Sequence, residues 1–268
     1  MKTLLFIGAC EKTELLLWLG KILASADHKV LIIDATVLQK YRYSIPDIGG
    51  DNLVTEYDDM DVASGFEHSF TTGTTIQDSL VKFFLRKNEN FSRYDFVLID
   101  VDHTETLQPT LLQAWGEVTK YVLVTNSERY TIQRNALLLE KLLQERKKTA
   151  GNKGTGTQQK TDGAVKIIGE SDLQMVRIHY PAIDQQVSEE YVESTIAHLS
   201  VEFEQQEFEF YYDELDYTVS VNMQYESRLK LKGLSRSTRK SLASLLEAVT
   251  DLDRGTIKSA IRSAEKGR

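Results

Sequence analysis

Four short apolar runs mark the first half of the chain, at residues 2–7, 29–34, 95–100 and 121–126. Each is too short for a helix and lacks the polar alternation of a half-exposed strand, so each reads as a strand buried on both faces. Between the first two, residues 14–25 repeat Leu15, Leu16, Trp18, Leu19, Ile22 and Leu23 at helical spacing. Strand, loop, helix and strand therefore form a crossover unit. The repetition of this grammar predicts an α/β fold, a mostly parallel β-sheet flanked by helices on both faces. In such sheets the functional crevice lies outside the carboxyl ends of the strands. The segment from Gly8 to Thr13, together with Asp34, Asp100 and Asn126, should converge there.

The remaining pattern is less regular. Residues 35–80 read as irregular structure or short strands, with an acidic run at 56–61, followed by a helix at 75–86. Helices are predicted over 104–116 and 131–147, the second carrying Ile132, Ala136, Leu137, Leu139, Leu142 and Leu143. Residues 148–163 are poor in apolar side chains and rich in Gly, Thr and Lys, the signature of a mobile surface loop. Strand-like stretches at 164–169 and 173–180 precede a helix at 189–199 and an aromatic edge strand at 208–212. The tyrosine-rich stretch ending at Tyr225 reads as packed aromatics at a sheet end, or as a partner surface. Helices at 237–249 and 256–266 close the chain. The organisation expected is one domain over residues 1–250 with a basic helical tail at 251–268.

Composition narrows the class. With 268 residues, 41% of them hydrophobic, there is chain enough for one sizeable core. The single cysteine, Cys10, excludes an internal disulfide framework and reads as a small core residue. The five histidines have no metal-ligand spacing, so no metal site is expected. The opening MKTLLFIGAC fails as a signal peptide because Glu11-Lys12 interrupts the apolar run. No stretch is long enough to cross a bilayer, and a cytoplasmic protein is expected. From residue 228 onward there are eleven Lys or Arg against four Asp or Glu, in a chain whose net charge is −8. A basic end on an acidic body invites an acidic partner. Its apolar anchors are too small to hold a membrane alone. DNA contact through Arg236, Arg239, Lys240, Lys258 and Arg262 is the lesser reading.

Lys12-Thr13 after the first strand, LIIDAT through Asp34, YDFVLID ending at Asp100, and VLVTN resemble the MinD/ParA group of deviant Walker ATPases. Tyr211-Tyr-Asp-Glu, Asn222-Met-Gln and Leu229-Lys-Leu-Lys-Gly resemble the closing segment of those proteins, so the likeness spans about residues 1–250. It implies a P-loop fold and a face-to-face homodimer. It also implies a nucleotide site, here vestigial, built from Gly8, Lys12, Thr13, Asp34, Asp100 and Asn126. Several positions depart from the family pattern. Ile7 stands where the signature lysine would reach the partner's nucleotide, and Glu11 replaces the glycine before the loop lysine, so both are expected to block the site. Glycines matter there because backbone N–H groups must wrap the phosphates closely. Thr36 replaces a second aspartate, and Asp102 stands where small residues or proline are common. The base-reading asparagine has only His179, Tyr180 and Pro181 as counterparts.

Glu11, Glu14, Asp34, Asp100 and Asp102 are thus expected to crowd one crevice, with Lys12 the one local cation, paired to Asp100 or Asp34. The expectation is a pseudo-ATPase without cofactor: a scaffold or localisation protein acting through protein partners. It would serve the assembly or positioning of a bacterial surface, pilus or secretion machine, and could be recruited to a membrane-associated complex. Without a lysine at Ile7, its homodimer should be independent of nucleotide. The alternative is a working ATP·Mg²⁺ switch for positioning or DNA partitioning, using Lys12, Thr13 and Asp100.

Overall fold

Successive residues of β1 (Lys2–Ile7) bury opposite faces of the sheet: Leu4 and Phe6 join one apolar cluster, Leu5 and Ile7 the other. In the computed structural model the described residues are 1–45, 53–66, 75–87, 91–152, 173–183, 188–226, 229 and 231–267. Helix α1 (Thr13–Ala24) returns the chain from β1 to β2 (Val30–Ala35). A short helix α2 (Tyr41–Ser44) precedes the hairpin of β3 (Val54–Tyr57) and β4 (Met60–Ala63). Then follow α3 (Ile76–Lys87), β5 (Phe96–Val101), α4 (Pro109–Ala114), β6 (Lys120–Thr125) and α5 (Arg129–Asn152). The last third contains β7 (Leu173–Ala182), α6 (Ser188–Ile196), β8 (Val201–Tyr211), α7 (Glu214–Met223), α8 (Arg236–Val249) and α9 (Arg254–Lys266).

The eight strands lie in the order β3-β4-β2-β5-β1-β6-β7-β8, parallel throughout except that β3 runs antiparallel to β4. β1 is central, between β5 and β6, so its carboxyl end opens at the middle of the sheet. Helices α1, α8 and α9 cover one face, and α3, α4, α5 and α6 the other.

The irregular 35–80 region contains a two-residue hairpin. Asp58 and Asp59 both have positive φ, the backbone that a type I′ turn demands and that Asp tolerates better than most residues. Asp58 also takes an ion pair from the buried Lys21 of α1 at 3.0 Å, which pins the hairpin beneath that helix.

Three expectations change. The helix expected over 104–116 is two pieces, a 3₁₀ turn at Thr104–Leu107 and α4, because Pro109 forces extended backbone on Gln108. Helix α5 runs to Asn152, so the first five residues of the expected loop at 148–163 are helical. The rest of that loop and the stretch at 164–169 lie outside the described residues. The segment expected as a tail, 251–268, contains α9, which packs on α1 and α8. Its Ile257, Ala260, Ile261 and Ala264 are buried in the same core. Apolar positions at i, i+3, i+4 and i+7 give this short helix a continuous stripe to bury. No helix among the described residues is long and apolar enough to cross a membrane.

Candidate functional site

The loop between β1 and α1 is held from beneath. Gly8 approaches the Val124 backbone so closely that a Cβ there would sit 2.1 Å from the Val124 carbonyl oxygen. Glycine is required here by contact with β6, at a φ open to any residue. The Gly8 N–H donates to the Val101 carbonyl at 3.0 Å. Asn135 of α5 bridges loop and strand: its Oδ1 accepts from Ala9 N–H at 2.8 Å, and its Nδ2 donates to the Val124 carbonyl at 3.1 Å. Cys10 lies against the same carbonyl, and burial pushes its thiol up to about 12, with Lys12 opposing. A thiol so protonated is no nucleophile at neutral pH.

Lys12 folds back under the loop. Its Nζ donates to the Gly8 carbonyl at 2.7 Å and lies 2.6 Å from Asp100 Oδ1. Burial works against the charge of Lys12, but Asp100, followed by Cys10 and Asp102, outweighs it and holds the ammonium protonated above its ordinary range. Burial likewise pushes the Asp100 carboxyl up, with Lys12 opposing. Tyr41 donates its hydroxyl to the second Asp100 oxygen at 3.0 Å.

Glu11 turns toward the start of α1. Its Oε1 accepts from both the Thr13 N–H at 3.1 Å and the Thr13 hydroxyl at 2.5 Å, while Oε2 pairs with Lys40. Burial disfavours the Glu11 charge, but the Lys40 and Thr13 hydrogen bonds more than compensate and hold its carboxyl below the usual range. A helix N-terminus favours anions because its first N–H groups are unpaired and its dipole is positive. Here the chain supplies the anion itself.

A cavity of about 320 Å³ lies above this loop, lined by Glu11, Lys12, Lys40, Asp102 and Arg134 among others. Asp102 Oδ1 accepts from the Val37 N–H at 3.0 Å. His103 also lines the cavity and caps the 3₁₀ turn, accepting from the Glu105 N–H.

Several expected site residues go elsewhere. Asp34 is sealed below the crevice by hydrogen bonds from Thr36, Ser64 and the Tyr41 N–H. Burial raises its pKa to about 7, with Thr36 opposing and Asp100 adding to the rise. Asn126 accepts from the Glu128 N–H at the entry to α5 and does not line the cavity. Ile7 is fully buried against the α3–α5 face, so it supplies no cation and fills no part of the crevice. Glu14 and the β7 residues Tyr180 and Pro181 line a second cavity, of about 470 Å³, bounded also by β8 and α7. Glu11 lines both cavities. His179 is engaged by Glu207 at 3.1 Å.

Lys12 is therefore not the one local cation. Lys40 comes from the approach to α2, and Arg134 from α5. Asn135 was also missed, although a polar residue amid the apolar stripe of Ile132, Leu139 and Leu142 is a signal that could have found it. Among the described residues no group of three or more His, Cys, Asp or Glu is arranged to hold a metal ion.

The parallel sheet with a strand–loop–helix turn at its centre is a doubly wound α/β fold with the architecture of P-loop proteins. Comparison with solved structures makes the fold that of the MinD/ParA type. The cell division ATPase MinD of Pyrococcus furiosus superimposes with a TM-score of 0.53 at 15% identity, over 93% of this chain and 99% of that one. Cyanthece apo McdA gives 0.52 at 14% identity, over 98% and 99%. No protein-family model and no curated protein sequence matches the chain.

Proposed function

We propose that this protein is a non-catalytic MinD/ParA-like scaffold or localisation protein that acts through protein partners. The observation that carries the reading is the Glu11 carboxylate on the N–H and hydroxyl of Thr13. That hydroxyl is the group the family resemblance assigns to ATP·Mg²⁺, and the N–H is a phosphate donor at the helix start. The loop lysine is committed as well, to Gly8 and Asp100. A triphosphate would have to displace Glu11 and then sit beside Glu11, Asp100 and Asp102. Two like charges 4 Å apart repel by about 1 kcal/mol in bulk water and about 4 kcal/mol near a protein surface. Lys40 and Arg134 soften this repulsion without freeing Thr13.

Such a protein needs no cofactor, and its homodimer, if it forms one, is independent of nucleotide. Its workplace is the assembly or positioning of a bacterial surface, pilus or secretion machine. The second reading is an ATP·Mg²⁺ switch using Lys12, Thr13 and Asp100, and what favours it is the cavity beside those three residues. Calorimetric titration of ATP with Mg²⁺ on the wild type and on Glu11→Gly separates the two. The scaffold reading expects no heat in the wild type. Magnesium-dependent binding by the wild type at micromolar ATP would overturn it.

A further inference from the structure

The second cavity has a chemistry unlike that of the loop. One wall is aromatic, with Trp18 edge-on to Tyr180 at 6.4 Å and Tyr180 edge-on to Phe210 at 5.9 Å. Its rim carries Tyr212 and Tyr217, their rings 6.3 Å apart, and Tyr225, which is 81% exposed. Glu11, Glu14, Asp213 and Asp216 are acidic, and among the described lining residues none is Lys, Arg or His.

Three of these carboxylates already serve the fold. Glu11 holds Thr13 and Lys40, Asp213 caps α7 through the Leu215 N–H, and Asp216 binds Ser235 and Thr238 at the start of α8. Glu14 forms no salt bridge among the described residues. Burial, then the neighbouring Glu11, push its carboxyl above the usual range, a cost that an incoming cation would relieve. A further group is unsatisfied: Trp18 is 2% exposed, and its indole N–H has no hydrogen-bond partner among the described residues.

We propose that this cavity binds a basic peptide segment of a partner protein, with an arginine or lysine side chain against Glu14 between the aromatic rings. Cation–π attraction and the carboxylate hold the cation. Charge complementarity selects the occupant. Exposed tyrosines at the rim suit a protein partner, since they add large contact area at low entropic cost. The inference rests on the protein-partner reading above, but its test is separate, because it reads peptide binding with no nucleotide present and does not depend on whether ATP binds at the loop.

The experiment uses the full chain carrying Trp115→Phe, so that Trp18 is the one fluorescent tryptophan, with capped octapeptides of arginine alternating with glycine. Controls replace each arginine with citrulline, which keeps shape and loses charge, or supply free arginine. The arginine peptide is expected to bind at micromolar concentration. Binding should weaken about tenfold or more with citrulline, with Glu14→Gln, or with Tyr217→Ala, changes of ~1.4 kcal/mol or more. Tyr217 is 60% exposed, so its truncation leaves the fold intact. Equal affinity for the citrulline peptide, insensitivity to both substitutions, or free arginine binding as tightly as the peptide would each overturn the proposal. So would displacement of the peptide by adenosine, which would make the cavity a base pocket.

Discussion

The ammonium of Lys12 lies 2.6 Å from Asp100 Oδ1, with the two side chains 2% and 1% exposed. A buried pair of this kind contributes little net stability, but removing one partner strands the other charge, at a cost of about 3–5 kcal/mol. Lys12→Met should therefore lower unfolding stability by roughly that amount in urea denaturation. Lys12→Met with Asp100→Asn removes both charges and keeps an acceptor for Tyr41, so it should recover more than half the loss. If Lys12→Met is as stable as the wild type, the pair is not part of the folded scaffold.

Asp34 gives the fold an unusual pH response. Its folded pKa of about 7 stands above the ordinary carboxyl range, through burial. A carboxyl raised by folding makes the native state bind more protons than the unfolded chain between the two values. Its contribution is fully present below the unfolded pKa of about 3.9 and is lost as pH rises through the folded one, at about 1.4 kcal/mol per unit. Asp34→Asn lacks this titration. The stability of the variant relative to wild type should climb from pH 5 to pH 8 and then level off. A difference that stays constant across that range would show that Asp34 is ionised throughout.

Gly8 has a steric task that the phosphate-loop resemblance hides. In Gly8→Ala the new methyl would meet the Val124 carbonyl, so β6 or the loop must move. Overpacking of this kind costs about 1–3 kcal/mol, and the shift would also disturb the Asn135 bridge to Ala9. Thermal denaturation should register the loss in the absence of any nucleotide. An unchanged melting temperature would mean that the loop is loosely held.

What was legible in the sequence follows from range. The buried strands announced themselves as continuous apolar runs, and the sequence narrowed the partner of Lys12 to Asp100 or Asp34, between which the packing of β5 beside β1 decides for Asp100. Lys40, Arg134 and Asn135 reach the loop from other elements, by helix placement that no local pattern encodes. Asn126 illustrates the converse case, a side chain whose local bond the sequence did not announce. It ends a strand in the right place, but the chain turns at once into α5, and the side chain is spent on the Glu128 N–H. Asp34 was expected in the crevice and instead anchors its own turn, because Thr36 two residues on donates to it through both N–H and hydroxyl. The same Thr36 was read only as a missing aspartate.

The basic carboxyl-terminal segment belongs to the packed core, where the sequence reading set it apart as a tail. Its charged face is open to solvent at Lys258 and Arg262, while Ile257 and Ile261 are buried in the core shared with α1 and α8. Deleting everything after Leu252 would strip that core and could not isolate a binding role. Point variants can. Ile257→Ala should cost about 2–5 kcal/mol, as large-to-small changes do in well-packed cores. Lys258→Glu with Arg262→Glu should leave the urea midpoint unchanged and alter only what the basic face contacts. If Ile257→Ala leaves stability intact, α9 is a detachable tail after all. If the double charge reversal unfolds the protein, the basic face serves the fold and is not free for a partner.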